Sequence, residues 1–152
     1  MSAKSKFRSV RRAIEQTIFK INHSMNTTQV DTLLYTADEA TTLVRTILDL
    51  TFSQGAEGAA YIGTMAFLQI VRKGKAVVSP DQAEGDVGVA SLAIPWFHMG
   101  MIPADRAYRV LVDLKAMRKL KSGDKIYLTD ESNVTTDTPK IRGSVRLFFK
   151  EA

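Results

Sequence analysis

The sequence predicts an all-β sandwich, and three observations carry that expectation. Apolar residues recur at every second position in several separate stretches, as in strands with one buried face. Short connectors rich in glycine, proline and polar residues divide those stretches. Nowhere do strands alternate with helices in the manner of a parallel sheet. A chain of 152 residues, 45% hydrophobic, suits one domain with a real core.

The central stretch, 45–73, holds two long apolar runs joined by Ser53-Gln54-Gly55-Ala56-Glu57-Gly58. In the first, Val44, Thr46, Leu48, Leu50 and Phe52 share one side, alternating with Arg45, Asp49 and Thr51, while Leu43 and Ile47 break the pattern. The second is apolar on both sides: Tyr61, Met65, Phe67 and Val71 on one, Ile62, Ala66, Leu68 and Ile70 on the other. Such a strand lies inside a sandwich or against another subunit. The two runs are expected to be adjacent antiparallel strands.

The other elements follow in chain order. Phe7, Val10, Ile14, Ile18, Ile21 and Met25 recur at steps of three or four, which predicts one amphipathic helix over about 8–24. That stripe is expected to dock on protein, the membrane surface being the other place for a basic amphipathic helix. Residues 30–36 read as a short strand and 37–41 as a turn. Residues 74–88 read as an exposed loop, with a short strand at 76–79 and another strand over 87–94. Pro95, Trp96, Phe97, His98 and Met99 lead toward Pro103 in a segment expected to be irregular, its bulky side chains a contact patch for another chain. Trp96, Phe97 and Met99 are the candidate subunit interface. Residues 108–114 alternate as a half-buried strand, 119–124 form a turn, 125–128 a strand, 130–140 a loop and 141–150 the final strand. One helix followed by seven or eight strands predicts a single jelly-roll β-sandwich. Residues 1–12 form a basic arm, and 13–152 the domain that carries the helix.

Charge is unevenly placed. Lys4, Lys6, Arg8, Arg11 and Arg12 crowd the first twelve residues, which hold no acid. Taking those five from the chain's 21 basic residues leaves 16, matching its 16 acids. The net charge of +5 therefore belongs to the arm, the candidate nucleic-acid contact. Lys115, Arg118, Lys119 and Lys121 are a secondary candidate for phosphate contacts, or else the wet side of a strand and turn.

No constellation of catalytic residues emerges. The two histidines, His23 and His98, form no close-spaced metal motif, and no nucleophile elbow occurs. The run Gly55-Ala56-Glu57-Gly58 lacks the spacing and lysine of a phosphate loop, and Asp81, Glu84 and Asp86 match no calcium loop. With no cysteine there are no disulfides and no thiolate metal ligands, which fits a reducing compartment. The N-terminus has no apolar secretory core, and no run reaches the roughly 18 apolar residues of a membrane span. The chain reads as a non-enzyme with no cofactor and no metal.

The central stretch resembles the capsid proteins of small circular Rep-encoding single-stranded DNA viruses. Their strands often end in Gln-Gly before a short polar gap and an Arg-Ile-Gly opening. Here Leu50-Thr51-Phe52-Ser53-Gln54-Gly55 precedes Tyr61-Ile62-Gly63, with Tyr61 in the arginine's place. The stretch from Asp113 through Lys115, Arg118, Lys119, Leu120, Gly123 and Asp124 to Ile126 is similar to a DxKxxRKLxxGDxI pattern of small capsid proteins in environmental viral genomes. The resemblance implies a single jelly-roll coat protein whose copies self-assemble into an icosahedral virion inside the host cell, with the arm facing the genome. The implied partners are other copies of the chain and single-stranded DNA, with no membrane. The alternative is a non-capsid β-protein that binds single-stranded nucleic acid, for which Tyr61, Phe67 and Tyr127 are the stacking candidates.

Overall fold

A computed structural model describes residues 14–53, 61–77, 97–103, 107–132 and 139–151. Within them the chain forms nine strands: β1 (Glu15–Ser24), β2 (Val30–Thr36), β3 (Thr41–Ser53), β4 (Tyr61–Val71), β5 (Phe97–Pro103), β6 (Tyr108–Leu114), β7 (Arg118–Leu120), β8 (Lys125–Ser132) and β9 (Lys140–Glu151). They build two antiparallel sheets. Sheet I has the order β1-β9-β3-β6, with β7 also paired to β3, and sheet II the order β2-β8-β4-β5. The pairing is nested: β4 with β5, β3 with β6, β2 with β8 and β1 with β9.

The core lies between the sheets. Leu48, Leu50 and Phe52 of β3 and Ile141, Val145 and Leu147 of β9 meet Ala66 and Leu68 of β4 and Ile126 and Leu128 of β8. All ten are fully buried. The alternation along β3 runs as expected from Thr46 to Phe52. It breaks at Val44, where the register with β9 shifts between Leu43 and Arg45. The extra residue of this bulge turns Leu43 to the core, so Leu43 fits the pattern once the bulge is counted.

Several expectations are corrected, among them the start of the 119–124 turn, where Lys119 and Leu120 belong to β7, and the start of the 130–140 loop, which belongs to β8. Residues 15–24 are strand, not helix. Two periods compete there, and the ten-residue ladder with β9 favours the one of two residues: Ile21 is buried with Thr17, Phe19 and His23 half-buried beside it. Ile14 and Ile18 of the helical stripe are 56% and 51% exposed. The two central runs are not neighbours, because β3 lies in sheet I and β4 in sheet II. Residues 97–103 are a regular strand, paired among the described residues only with β4, at the edge of sheet II. Pro103 closes that strand where a missing N–H removes little of the ladder. Of the strand expected over 76–79, Ala76 and Val77 are not strand; 87–94 and 8–13 lie outside the described residues.

Buried polar groups fasten the sandwich. Asp124, in the turn before β8, accepts hydrogen bonds from the amides of Lys121 (2.8 Å) and Lys73 (3.1 Å) and from the Arg72 guanidinium (2.7 Å). Burial pushes its carboxyl up, but these donors together hold it below the usual carboxylate range. Gln69 donates to Thr129, which donates to Asp31, joining β4, β8 and β2. Between the sheets, His23 Nε2 of β1 stands 2.7 Å from Asp130 Oδ2 of β8.

Candidate nucleic-acid interface

The five arm cations, Lys4, Lys6, Arg8, Arg11 and Arg12, lie outside the described residues, as do Trp96 and the acids Asp81, Glu84 and Asp86. Phe97 and Met99 stand on β5, opposite Phe67 and Met65 of β4. The secondary basic cluster is divided by the fold. Arg118 is opposite Leu43, on the core side of β3, and donates to the Met117 carbonyl. Lys119, one residue on, is opposite Thr42 on the other side. Lys115 follows β6, and Lys121 lies in the turn fastened by Asp124.

Cations outside both of those candidate groups gather instead on the outer face of sheet I. Register fixes this face, since residues directly opposite in a ladder share a side. One row runs Asn22, Arg142, Thr51, Arg109; the next Lys20, Ser144, Asp49, Leu111; the third Ile18, Arg146, Ile47, Asp113; the fourth Gln16, Phe148, Arg45. The β3–β6 half is internally neutral. Arg109 makes a bidentate pair with Asp49, both bonds 2.9 Å, and Arg45 another with Asp113 at 2.9 and 2.6 Å. These guanidiniums hold both carboxyls below their ordinary range through the hydrogen bonds they donate. The β1–β9 half is different. Its middle rows carry Lys20, Arg142 and Arg146 and no acid, with Lys140 one row further on beside Ser24, and none of these cations meets a carboxylate at ion-pair distance among the described residues. The Arg45 guanidinium sits 5.4 Å over the ring of Phe148 at the border of the two halves.

A second basic feature lies at the end of sheet II. A cleft of about 450 Å³ is lined by Arg72, Lys73, Lys75, Lys125 and Tyr127 among others, with Arg72 committed to Asp124. Of the expected stacking residues, Phe67 is buried and Tyr127 lines this cleft. Among the described residues no group of three or more histidines and acids stands together as a metal site.

The row pattern was within reach of the sequence only in part. The outward positions of β9 are legible from its alternation, but that β1 lies beside it, adding Lys20 and no acid, depends on pairing across the whole chain. No protein-family model matches the chain, and no curated protein is significantly similar to it in sequence.

Proposed function

We propose that the chain is a single jelly-roll coat-protein subunit that associates with its own copies into a closed icosahedral shell around a single-stranded DNA genome. The observation that carries this reading is the nested pairing of β1 with β9, β2 with β8, β3 with β6 and β4 with β5 across two sheets. It is the pattern of one long antiparallel hairpin rolled into two four-stranded layers, with β7 a short addition, and jelly rolls of this kind build viral shells. The basic arm and the short motifs in β3–β4 and 113–126 point the same way. In this reading the arm faces the nucleic acid, and Trp96, Phe97 and Met99 lie between subunits. The chain then catalyses no reaction, takes no cofactor and binds no membrane, and its place is the virion, assembled inside the host cell.

The same architecture serves lectins and cupins, so assembly is the decisive property. Sedimentation velocity and negative-stain microscopy of the purified full chain should give uniform closed particles at high protein concentration. A chain that stays monomeric in low and high salt would overturn the shell. The basic half-face of sheet I would then favour the second reading, a single-stranded nucleic-acid-binding sandwich.

A further inference from the structure

We propose that the β1–β9 half of the outer face of sheet I is a second nucleic-acid surface, one that holds the phosphates of a single strand independently of the arm. It shares a ligand with the coat-protein reading but needs no shell. By composition, a body whose charges sum to zero leaves affinity to the arm alone, yet the fold separates those charges. On this face both acids, Asp49 and Asp113, are taken by Arg109 and Arg45. Arg142, Arg146 and Lys20 are left with no acid beside them in the ladder. Asp49, opposite Ser144 and so diagonal to both arginines, senses Arg146 but spends its hydrogen bonds on Arg109.

Their spacing suits an extended polyanion. Arg142 and Arg146 are four residues apart on β9, about 14 Å along the strand. Lys20 lies opposite Ser144, midway between them and one strand over, at about 4.8 Å. A cation therefore recurs at roughly 7 Å steps along the strand direction, which suits successive phosphates of an extended single strand. Apolar surface accompanies the charge: Ile18, 51% exposed, is opposite Arg146, and the Phe148 ring lies beyond it. A flat base has something to rest on there, as sequence-tolerant single-strand binding requires. A duplex presents its phosphates on a convex cylinder and offers this flat face fewer contacts. The arm strengthens the case by connectivity alone. Arg12 is three residues ahead of Glu15, so it is tethered within about 11 Å of the start of β1. Arm and face can thus engage one strand together.

The test is salt-dependent binding of fluorescein-labelled oligo-dT and oligo-rU to the full chain. Each neutralised phosphate contributes about 0.7 to the log–log slope on a single strand. The triple variant Lys20→Gln/Arg142→Gln/Arg146→Gln should lose about 2 from the slope. An arm variant with Lys4, Lys6, Arg8, Arg11 and Arg12 all changed to Gln should still bind, with a residual slope of about −2. The pair Arg109→Gln/Asp49→Asn, which leaves the net charge unchanged, should keep the wild-type slope. Charge-preserving Lys20→Arg/Arg142→Lys/Arg146→Lys should do the same. If the triple variant fails to fold, Arg146→Glu alone should still reduce the slope by about 1 or more. An arm variant with no salt-dependent binding, or face variants with the wild-type slope, would overturn the proposal; Lys73, Lys75 and Lys125 would then be the next phosphate candidates. Microscopy on the same samples separates the two readings. Loss of particles with binding intact removes the shell and keeps this surface.

Discussion

At Gly143 the backbone of β9 leaves no room for a side chain. Its φ is +141°, a region that only glycine enters at low cost. A Cβ built there would stand 1.9 Å from the Asp49 carbonyl oxygen and 2.9 Å from its carbon. Those atoms belong to β3, which is held on both sides by ladders, so they cannot swing aside as a side chain would. Gly143→Ala should therefore cost more than the roughly 1–3 kcal/mol of backbone strain alone. Urea unfolding followed by circular dichroism would measure it; a loss under about 0.5 kcal/mol, the size of an ordinary surface change, would contradict the close approach. The residue also separates Arg142 from Ser144, so the same contact fixes the stagger of the basic row. None of this was legible in the sequence, where Gly143 is one glycine in an otherwise regular strand pattern.

Elements were legible where one period ruled. The expectations for β2, β6 and β9 match the strands found to within a residue at each end; β6 and β9 alternate along most of their length, and β2 does so up to the register shift between Leu33 and Tyr35. Expectations failed where a second signal competed. In 15–24 the three- and four-residue steps of Ile14, Ile18 and Ile21 overlay the two-residue steps of Thr17, Phe19 and Ile21, and only the partner strand β9 decides between them. Around Val44 a bulge masked the place of Leu43. Tertiary pairing also placed His23, within the stretch expected to be helix, on β1 against Asp130 of β8, so that one side chain from each sheet ties the layers together. The tie has a definite pH signature. Burial pushes the Asp130 carboxyl above its ordinary range, while His23 pulls it back. A raised carboxyl keeps its proton better folded than unfolded. Its contribution is thus fully present below the ordinary value of 3.8 and lost as pH rises through the higher folded value. Asp49, Asp113 and Asp124, all lowered, contribute the other way, above the ordinary value, and lose it as pH falls through their lowered values. In His23→Ala the Asp130 carboxyl loses its restraining partner. The variant should be less stable than wild type by about 1–3 kcal/mol near neutrality. That gap should widen between about pH 4.5 and 7. Urea midpoints at the two pH values measure it, and an equal gap at both would show that the pair does not control Asp130.

For the molecule as a whole, composition gave the total of charge and the fold gave its distribution. The sum over the body is zero, but antiparallel register puts Lys20, Arg142 and Arg146 together and matches Arg45 and Arg109 with the acids. Such sorting depends on which strands become neighbours, and neighbours here are often far apart in the chain. That same arrangement sets the order of events when the chain folds. β9 is an inner strand of sheet I, lying between β1 and β3, and Glu15 lies opposite Phe149. Until residues 140–151 arrive, β1 has no ladder among the described strands and β3 is open along one side. Sheet I therefore cannot grow stepwise from its first strand; it closes by insertion. Contacts so distant in sequence are slow to form because a long loop must be closed first, and all-β domains of this kind fold in milliseconds to seconds. During synthesis the bare edges of β1 and β3 await a partner, and another nascent copy of β9 is as good a match as the chain's own. A fragment ending at residue 138 should show no cooperative urea transition by circular dichroism, and adding a peptide spanning 139–151 should restore one.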